Sequence, residues 1–197
     1  QVSANGYGEP ANFDSYRCSM SDDGRVVAFL SQATNLVPGT LAGPVHAFAR
    51  IRDPKPGSVY CWPGTSPTGC LPALTAQGAS SAGAGSGHQL DVADTLNAQI
   101  GLFVYSTGDS LDGTLGTSWL CVGAPLVRMA AQTTGGAPPP TVDCSGTLAV
   151  DFNAWIAGGQ DAALVPGAAV WLQTWTRDPS SPGGALLSDA LAFVVAP

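Results

Sequence analysis

The sequence predicts an all-β protein, and three observations carry that expectation. Glycine and proline are abundant, at 25 and 16 residues, while charged residues are only 11% of the 197. That is a composition of turns and short strands, since helices favour Lys, Glu and Leu. Apolar and other residues alternate in Leu148-Ala149-Val150-Asp151-Phe152-Asn153 and in Val170-Trp171-Leu172-Gln173-Thr174-Trp175, the period of two that belongs to strands. Finally, the second half breaks into short segments divided by Gly, Pro and Ser clusters, the spacing of an antiparallel β-sandwich. A chain of this length buries roughly 70% of its unfolded surface, so a core forms without further help.

The first half reads in order. Gln1, Val2, Ser3 and Ala4 form a short alternating piece, and residues 5–10, Asn-Gly-Tyr-Gly-Glu-Pro, are turn material. Residues 16–19 predict a strand. Ser21-Asp22-Asp23-Gly24 supplies residues that tolerate a positive φ, as a tight hairpin requires. Residues 25–31, with Val26, Val27 and Phe29, predict the next strand, and residues 45–51 a third after a Pro/Gly loop.

The second half predicts strands at residues 72–77, 88–93, 100–106, 119–132, 147–156, 169–177 and 187–195. Residues 135–140, Gly-Gly-Ala-Pro-Pro-Pro, form a loop. The domain division is therefore residues 1–53, a linker at 54–59, and a sandwich at 60–197.

The pattern S-x-S-x-D-G-R-x-V-A-F-x-S-x-A-x-N-L-V-P-G, from Ser19 to Gly39, is followed by F-x-R-x-R-D from Phe48 to Asp53. Over residues 1–53 this resembles the TolB-type, WD40-like blades of secreted bacterial β-propellers. The resemblance implies a single propeller-like blade, with residues 16–19, 25–30 and 45–51 as its inner strands and Gln1-Val2-Ser3-Ala4 as the outermost strand of a preceding blade. After the third strand the chain turns through residues 53–57, and no fourth strand is predicted. Propellers need four to eight blades, and stacked repeats need neighbours to bury their faces. Either the chain is the tail of a longer propeller, or identical chains supply one another's missing strand. The assembly candidates are Gln1, Val2, Ser3 and Ala4 on the donor side and Val45, Ala47, Ala49 and Ile51 on the acceptor strand.

Further motifs lie in Tyr60-Cys61, Gly69-Cys70-x-Pro72, Gly101-Leu102-Phe103-x-Tyr105, Leu120-Cys121-Val122, Cys144-Ser145-Gly146, Asp151-Phe152-Asn153-Ala154, Gln173-x-Trp175-x-Arg177-Asp178-Pro179 and Leu187-Ser188-Asp189-Ala190. Over residues 58–197 they resemble an uncharacterised C-terminal domain of large secreted proteins of planctomycete-like bacteria, which often follows propeller repeats. The family commonly ends in Cys-Pro, whereas this chain has Ala196-Pro197. The resemblance brings no activity with it.

Cys18, Cys61, Cys70, Cys121 and Cys144 are too scattered for a zinc site. Disulfides are the better reading, and sequence proximity pairs Cys61 with Cys70 and Cys121 with Cys144, closing short loops. Cys18 is left over, read as buried in preference to bonding another subunit. Disulfides point to an oxidising compartment, and a start at Gln1 rather than Met is read as a processed N-terminus. The expected location is secreted, extracellular or at the cell surface.

A net charge of −7, with Lys55 the one lysine, repels phosphate backbones and argues against nucleic acid as a partner. No apolar run approaches the ~20 residues of a membrane-spanning helix. No N-x-S/T sequon occurs.

Gly108-Asp109-Ser110-Leu111 spells the signature of the GDSL esterases, in which the serine is the nucleophile. Those enzymes also need a base in a downstream D-x-x-H. His46 and His88 both lie upstream, so a turn is preferred and no enzyme activity is expected. Asp109 and Asp112, or Asp22 and Asp23, offer carboxylates to calcium, but neither cluster repeats and calcium wants six to eight oxygens; turns are again preferred. Arg177, Asp178 and Asp189 read as a salt bridge or turn cap. Trp62, Trp119, Trp155, Trp171 and Trp175 raise sugar stacking, with Trp171 and Trp175 on one strand face; the preferred reading places that face in the sandwich core. No cofactor or metal is implied.

Three functions follow, in order. The first is a structural subunit of an extracellular assembly or filament, polymerising with other copies of itself by β-strand complementation. The second is a secreted surface module, binding a glycan or protein at the end of a longer propeller. The last is a hydrolase built on Ser110.

Overall fold

In the computed structural model, residues 10–20, 26–37, 43–51, 58–116 and 118–197 are described. The chain divides into two compact units, Gln1–Pro54 and Lys55–Pro197. The fold is nearly all β, with several antiparallel sheets.

The first unit holds a three-stranded antiparallel sheet of β1 (Ser15–Met20), β2 (Val26–Ser31) and β3 (His46–Ile51), in that order. Alternation sorts its side chains. Phe29 pairs with Phe48 across β2 and β3, and their rings stack at 5.6 Å. Phe29 joins Ala33 and Leu36 in a small buried cluster, with Ala11 and Phe48 packed against it. The signature residues after β2 have a definite role. Ser31 Oγ donates to Asp14 O at 2.9 Å and accepts Ala33 N at 3.0 Å. Asn35 Oδ1 accepts Asn12 N at 3.0 Å, and its Nδ2 donates to Pro10 O at 2.9 Å. Asn12 in turn accepts Thr34 N at 2.9 Å. The S-x-A-x-N-L run thus ties residues 10–15 over the end of β2, satisfying main-chain groups that no strand ladder reaches.

The second unit is a sandwich. Its strands are β4 (Ser58–Tyr60), β5 (Ala73–Gln77), β6 (Gln89–Thr95), β7 (Ile100–Ser106), β8 (Ser110–Leu115), β9 (Ser118–Val122), β10 (Val127–Arg128), β11 (Gln132–Thr133), β12 (Gly146–Asp151), β13 (Ala169–Arg177) and β14 (Ala185–Val194). One sheet runs β10-β7-β13-β14-β4, with β11 also on β7. The facing sheet is β12-β6-β5, and β8 and β9 form a separate hairpin. Ser58 and Val59, placed in the linker by sequence, belong to β4 and pair with β14.

The main core lies between the two sheets. Phe103, Tyr105, Val170, Leu172, Leu191 and Phe193 meet Leu74, Leu90, Val92 and Leu148 across the gap. Gly101 permits the approach, because a Cβ there would fall 2.7 Å from Leu148 Cδ1. On β6 the register shifts between Val92 and Thr95 against β12. Asp94 takes a φ of 56° there, the left-handed conformation of a bulge that Asp tolerates better than most residues.

Two strand expectations are corrected. The strand predicted over residues 147–156 stops at Asp151, because its carboxylate accepts Asn153 N at 3.0 Å and Ala154 N at 3.2 Å. It thereby caps the helix α1 (Phe152–Ala157). The alternation of residues 148–153 is real up to the cap and accidental beyond it. The strand predicted over residues 119–132 is instead β9, β10 and β11, divided around Pro125, whose ring cannot donate to a ladder.

The cysteine pairing is also corrected. Cys61 bonds Cys121, and Cys70 bonds Cys144, whereas the sequence reading paired 61 with 70 and 121 with 144. Sheet topology decides the partners: β4 lies beside β14, and Tyr60 on β4 donates its hydroxyl to Cys121 O at 2.9 Å. Cys70 and Cys144 pack with buried Leu96 and Leu186. Cys18 is a free, exposed thiol, not a buried one. It follows Arg17, whose φ is 53°, at the register shift between Tyr16 and Ser19 on β1, so strand alternation does not carry it inward.

Candidate functional site: the edge of the first sheet

β3 pairs with β2 without interruption from His46 opposite Ser31 to Ile51 opposite Val26. Among the described residues, β2 is its one strand partner. Its alternate side chains divide cleanly. Phe48 packs toward the small core, while Ala47 and Ala49 are exposed. Val45, just before the strand, is 46% exposed. Ala47 lies opposite Leu30 and Ala49 opposite Ala28; Leu30 lies opposite Tyr16 on β1, itself partly exposed. One face of this sheet is thus aliphatic and open to solvent.

Edges of this kind are usually blunted by lysine, proline or a bulge. β1 has a register shift. β3 has no shift and no proline, and it carries one arginine, Arg50. Of the sequence-derived assembly residues, Val45, Ala47, Ala49 and Ile51 are therefore brought together on or beside one strand. Gln1, Val2, Ser3 and Ala4 lie outside the described residues.

The chemistry candidates fall into structural places. Ser110 opens β8, and its amide is held by Asp109 Oδ1 at 2.7 Å. Gly123 N donates to Asp109 O at 3.0 Å, extending the pairing of β8 and β9 at the open end of their hairpin. The GDSL run is thus the start of a strand as well as a turn. His88 is buried against Phe152 and Phe193 in the core, and His46 belongs to β3. Asp22, Asp23 and the Asp112 side chain lie outside the described residues; among those described, no group of three or more His, Cys, Asp or Glu gathers as metal ligands do.

Asp178 is a turn cap. Its carboxylate accepts Ser180 N at 2.9 Å, Ser180 Oγ at 2.6 Å and Ser181 Oγ at 2.8 Å. Burial pushes its pKa up, but the serine bonds outweigh burial and hold it below the ordinary value. Asp189 accepts Leu74 N at 2.7 Å, tying the two sheets, and burial raises its pKa. Burial and then the charge of Asp109 hold the Tyr60 hydroxyl protonated far above the ordinary 10.

The tryptophans do not follow the expected division. Trp171 and Trp175 share a face with Gln173, opposite the main core, and both are half-buried. Gln173 shows what covers that face: it accepts Cys121 N at 3.1 Å and donates to Trp119 O at 2.8 Å, so β9 lies over it. The pair is neither a free platform nor part of the main core. Trp62, by contrast, is 78% exposed. The sequence had singled out the four-residue spacing rather than the residue beside a cysteine; Pro63, which follows Trp62 where β4 has ended, was the available signal.

In comparisons with known proteins, no family model, no curated protein and no solved structure matches this chain.

Proposed function

We propose that the chain is a structural subunit of an extracellular assembly, in which β3 of one copy receives a strand from another. The observation that carries this reading is the uninterrupted β3 edge with its exposed Val45, Ala47 and Ala49. A strand added in trans satisfies the edge's main-chain groups and covers alternate side chains. Gln1-Val2-Ser3-Ala4 is the proposed donor. A head-to-tail contact that does not close a ring propagates as an open helix, which makes the product a filament. The two disulfides fit an oxidising compartment, and no helix among the described residues is long and apolar enough to cross a membrane. Secretion is part of the proposal.

Sedimentation velocity and negative-stain imaging test it. Concentration-dependent polymers are expected, lost in A47K/A49K and on deletion of residues 1–4. A monodisperse monomer across micromolar concentrations overturns the reading.

A second reading rests on Trp62, whose exposed ring offers a stacking face for a sugar. On that reading the chain is a surface module that binds a glycan, and glycan-array binding is abolished by Trp62→Ala but retained by Trp171→Ala. Absence of binding in the parent chain removes it.

A further inference from the structure

We propose that His88 is an acid switch built into the sandwich: its protonation releases α1 and the 78–88 loop from the core. This inference is independent of the assembly reading.

The geometry is a cage without a counter-charge. His88 is only 4% exposed. Its ring meets Phe193 edge-on at 4.9 Å and Phe152 at 6.4 Å. Among the described residues neither ring nitrogen has a hydrogen-bond partner; the backbone of Gly78 and Gln77 approaches the ring without hydrogen-bond geometry. A neutral imidazole is a tolerable aromatic filler here. An imidazolium would be a buried cation with little to pair with, which a protein interior strongly disfavours.

The charged groups on the packed elements confirm the isolation. At the start of α1 stands Asp151, whose Oδ2 accepts Gly87 N at 2.7 Å while Oδ1 accepts Asn153 N and Ala154 N. It is therefore committed to three amides, although its charge favours protonation of the ring weakly. β14 carries Asp189, bound to Leu74 N and four residues from Phe193. β5 and residues 78–87 carry no charged side chain, and β6 itself carries Asp91 and Asp94 beyond Leu90.

What the switch controls is set by the same contacts. Phe152 N donates to His88 O at 2.8 Å, so the start of α1 hangs on this residue. Asn153 gathers the loop: its Nδ2 donates to Ala79 O at 3.0 Å and Ser86 O at 3.2 Å, and its Oδ1 accepts Ser81 N at 2.8 Å. Displacing the ring therefore loosens β6, α1 and the loop together.

Burial lowers the folded-state pKa below the ordinary 6.5. The unfolded chain then binds the proton more readily. Stability is complete above that value and falls with pH down to the folded pKa, by up to tenfold in the unfolding constant per pH unit.

Urea unfolding of the full chain between pH 4.5 and 8, with hydrogen exchange of residues 78–88 and 152–157, tests the switch. The parent chain is expected to lose stability and local protection below about pH 6.5. His88→Phe should flatten that dependence, and His46→Gln should leave it intact. A flat parent profile, or a slope that survives His88→Phe, overturns the proposal. Should His88→Phe not fold, NMR titration of the parent's His88 ring decides: a midpoint below 6.5 accompanied by loss of protection supports the switch, and a midpoint at or above it, or unchanged protection, overturns it.

Discussion

The two units solve the problem of burying a sheet face in opposite ways. The sandwich closes on itself: two sheets share a core from Leu74 to Val195, and two disulfides tie segments outside that core. The first unit has a sheet with a small cluster under one face, aliphatic residues exposed on the other, and a free thiol on β1. Phe29, Ala33 and Leu36 are a thin core, and a three-stranded sheet needs a covered face to be stable alone. The comparison teaches that uncovered apolar surface and a thin core lie together in the first unit, while the second covers its own sheet faces.

The largest expected contrast comes from the disulfides. Their loops of 60 and 74 residues are worth about 4 kcal/mol each on the chain-entropy account. Cys70→Ala with Cys144→Ala should lower sandwich stability by that amount. All five tryptophans lie in the second unit, so their fluorescence in urea reads this loss separately from the first unit.

Core truncation should divide the same way. Leu172→Ala, in the fully buried layer of β13, is expected to cost about 2–5 kcal/mol in the tryptophan transition. Phe29→Ala should leave that transition in place and accelerate amide exchange in β2. A shift of both signals together would show that the units unfold as one.

Asp178→Ala should cost about 1–3 kcal/mol by orphaning the Ser180 and Ser181 donors. Because the folded carboxylate is held below its ordinary 3.8, its contribution is present above that pH and lost as pH falls through the folded value. Urea midpoints of parent and variant should therefore converge in acid.

Asp189 gives the smallest effect and the opposite sign. Its folded pKa is raised by burial, so its contribution is present below 3.8 and lost as pH rises through the folded value. Asp189→Asn keeps an acceptor for Leu74 N and should raise stability at pH 7 by less than about 1 kcal/mol, a gain that disappears in acid.

Much of this was legible in local sequence. β7 and β13 begin and end where the segments between Gly, Pro and Ser clusters predict, because turn residues act on the chain beside them. The strands β1 to β3 of the first unit were legible from similarly local signals. The helix α1 was not: alternation continues through Phe152 and Asn153, and the deciding contact is Asp151 with amides on both sides of it, including Gly87. The candidate edge was legible as a strand with exposed alternate residues, but its freedom from register shifts required the pairing with β2.

By itself, then, the sequence determined the all-β class and the main strands, since composition, turn residues and periodicity act over a few neighbours. Only the tertiary structure decided which cysteines join, which face Trp171 and Trp175 share with Gln173, and that His88 sits caged between Phe152 and Phe193. Those depend on which distant strands meet, and no local period records that: Cys61 is nearer to Cys70 along the chain, but β4 lies against β14 under β9, where Cys121 waits.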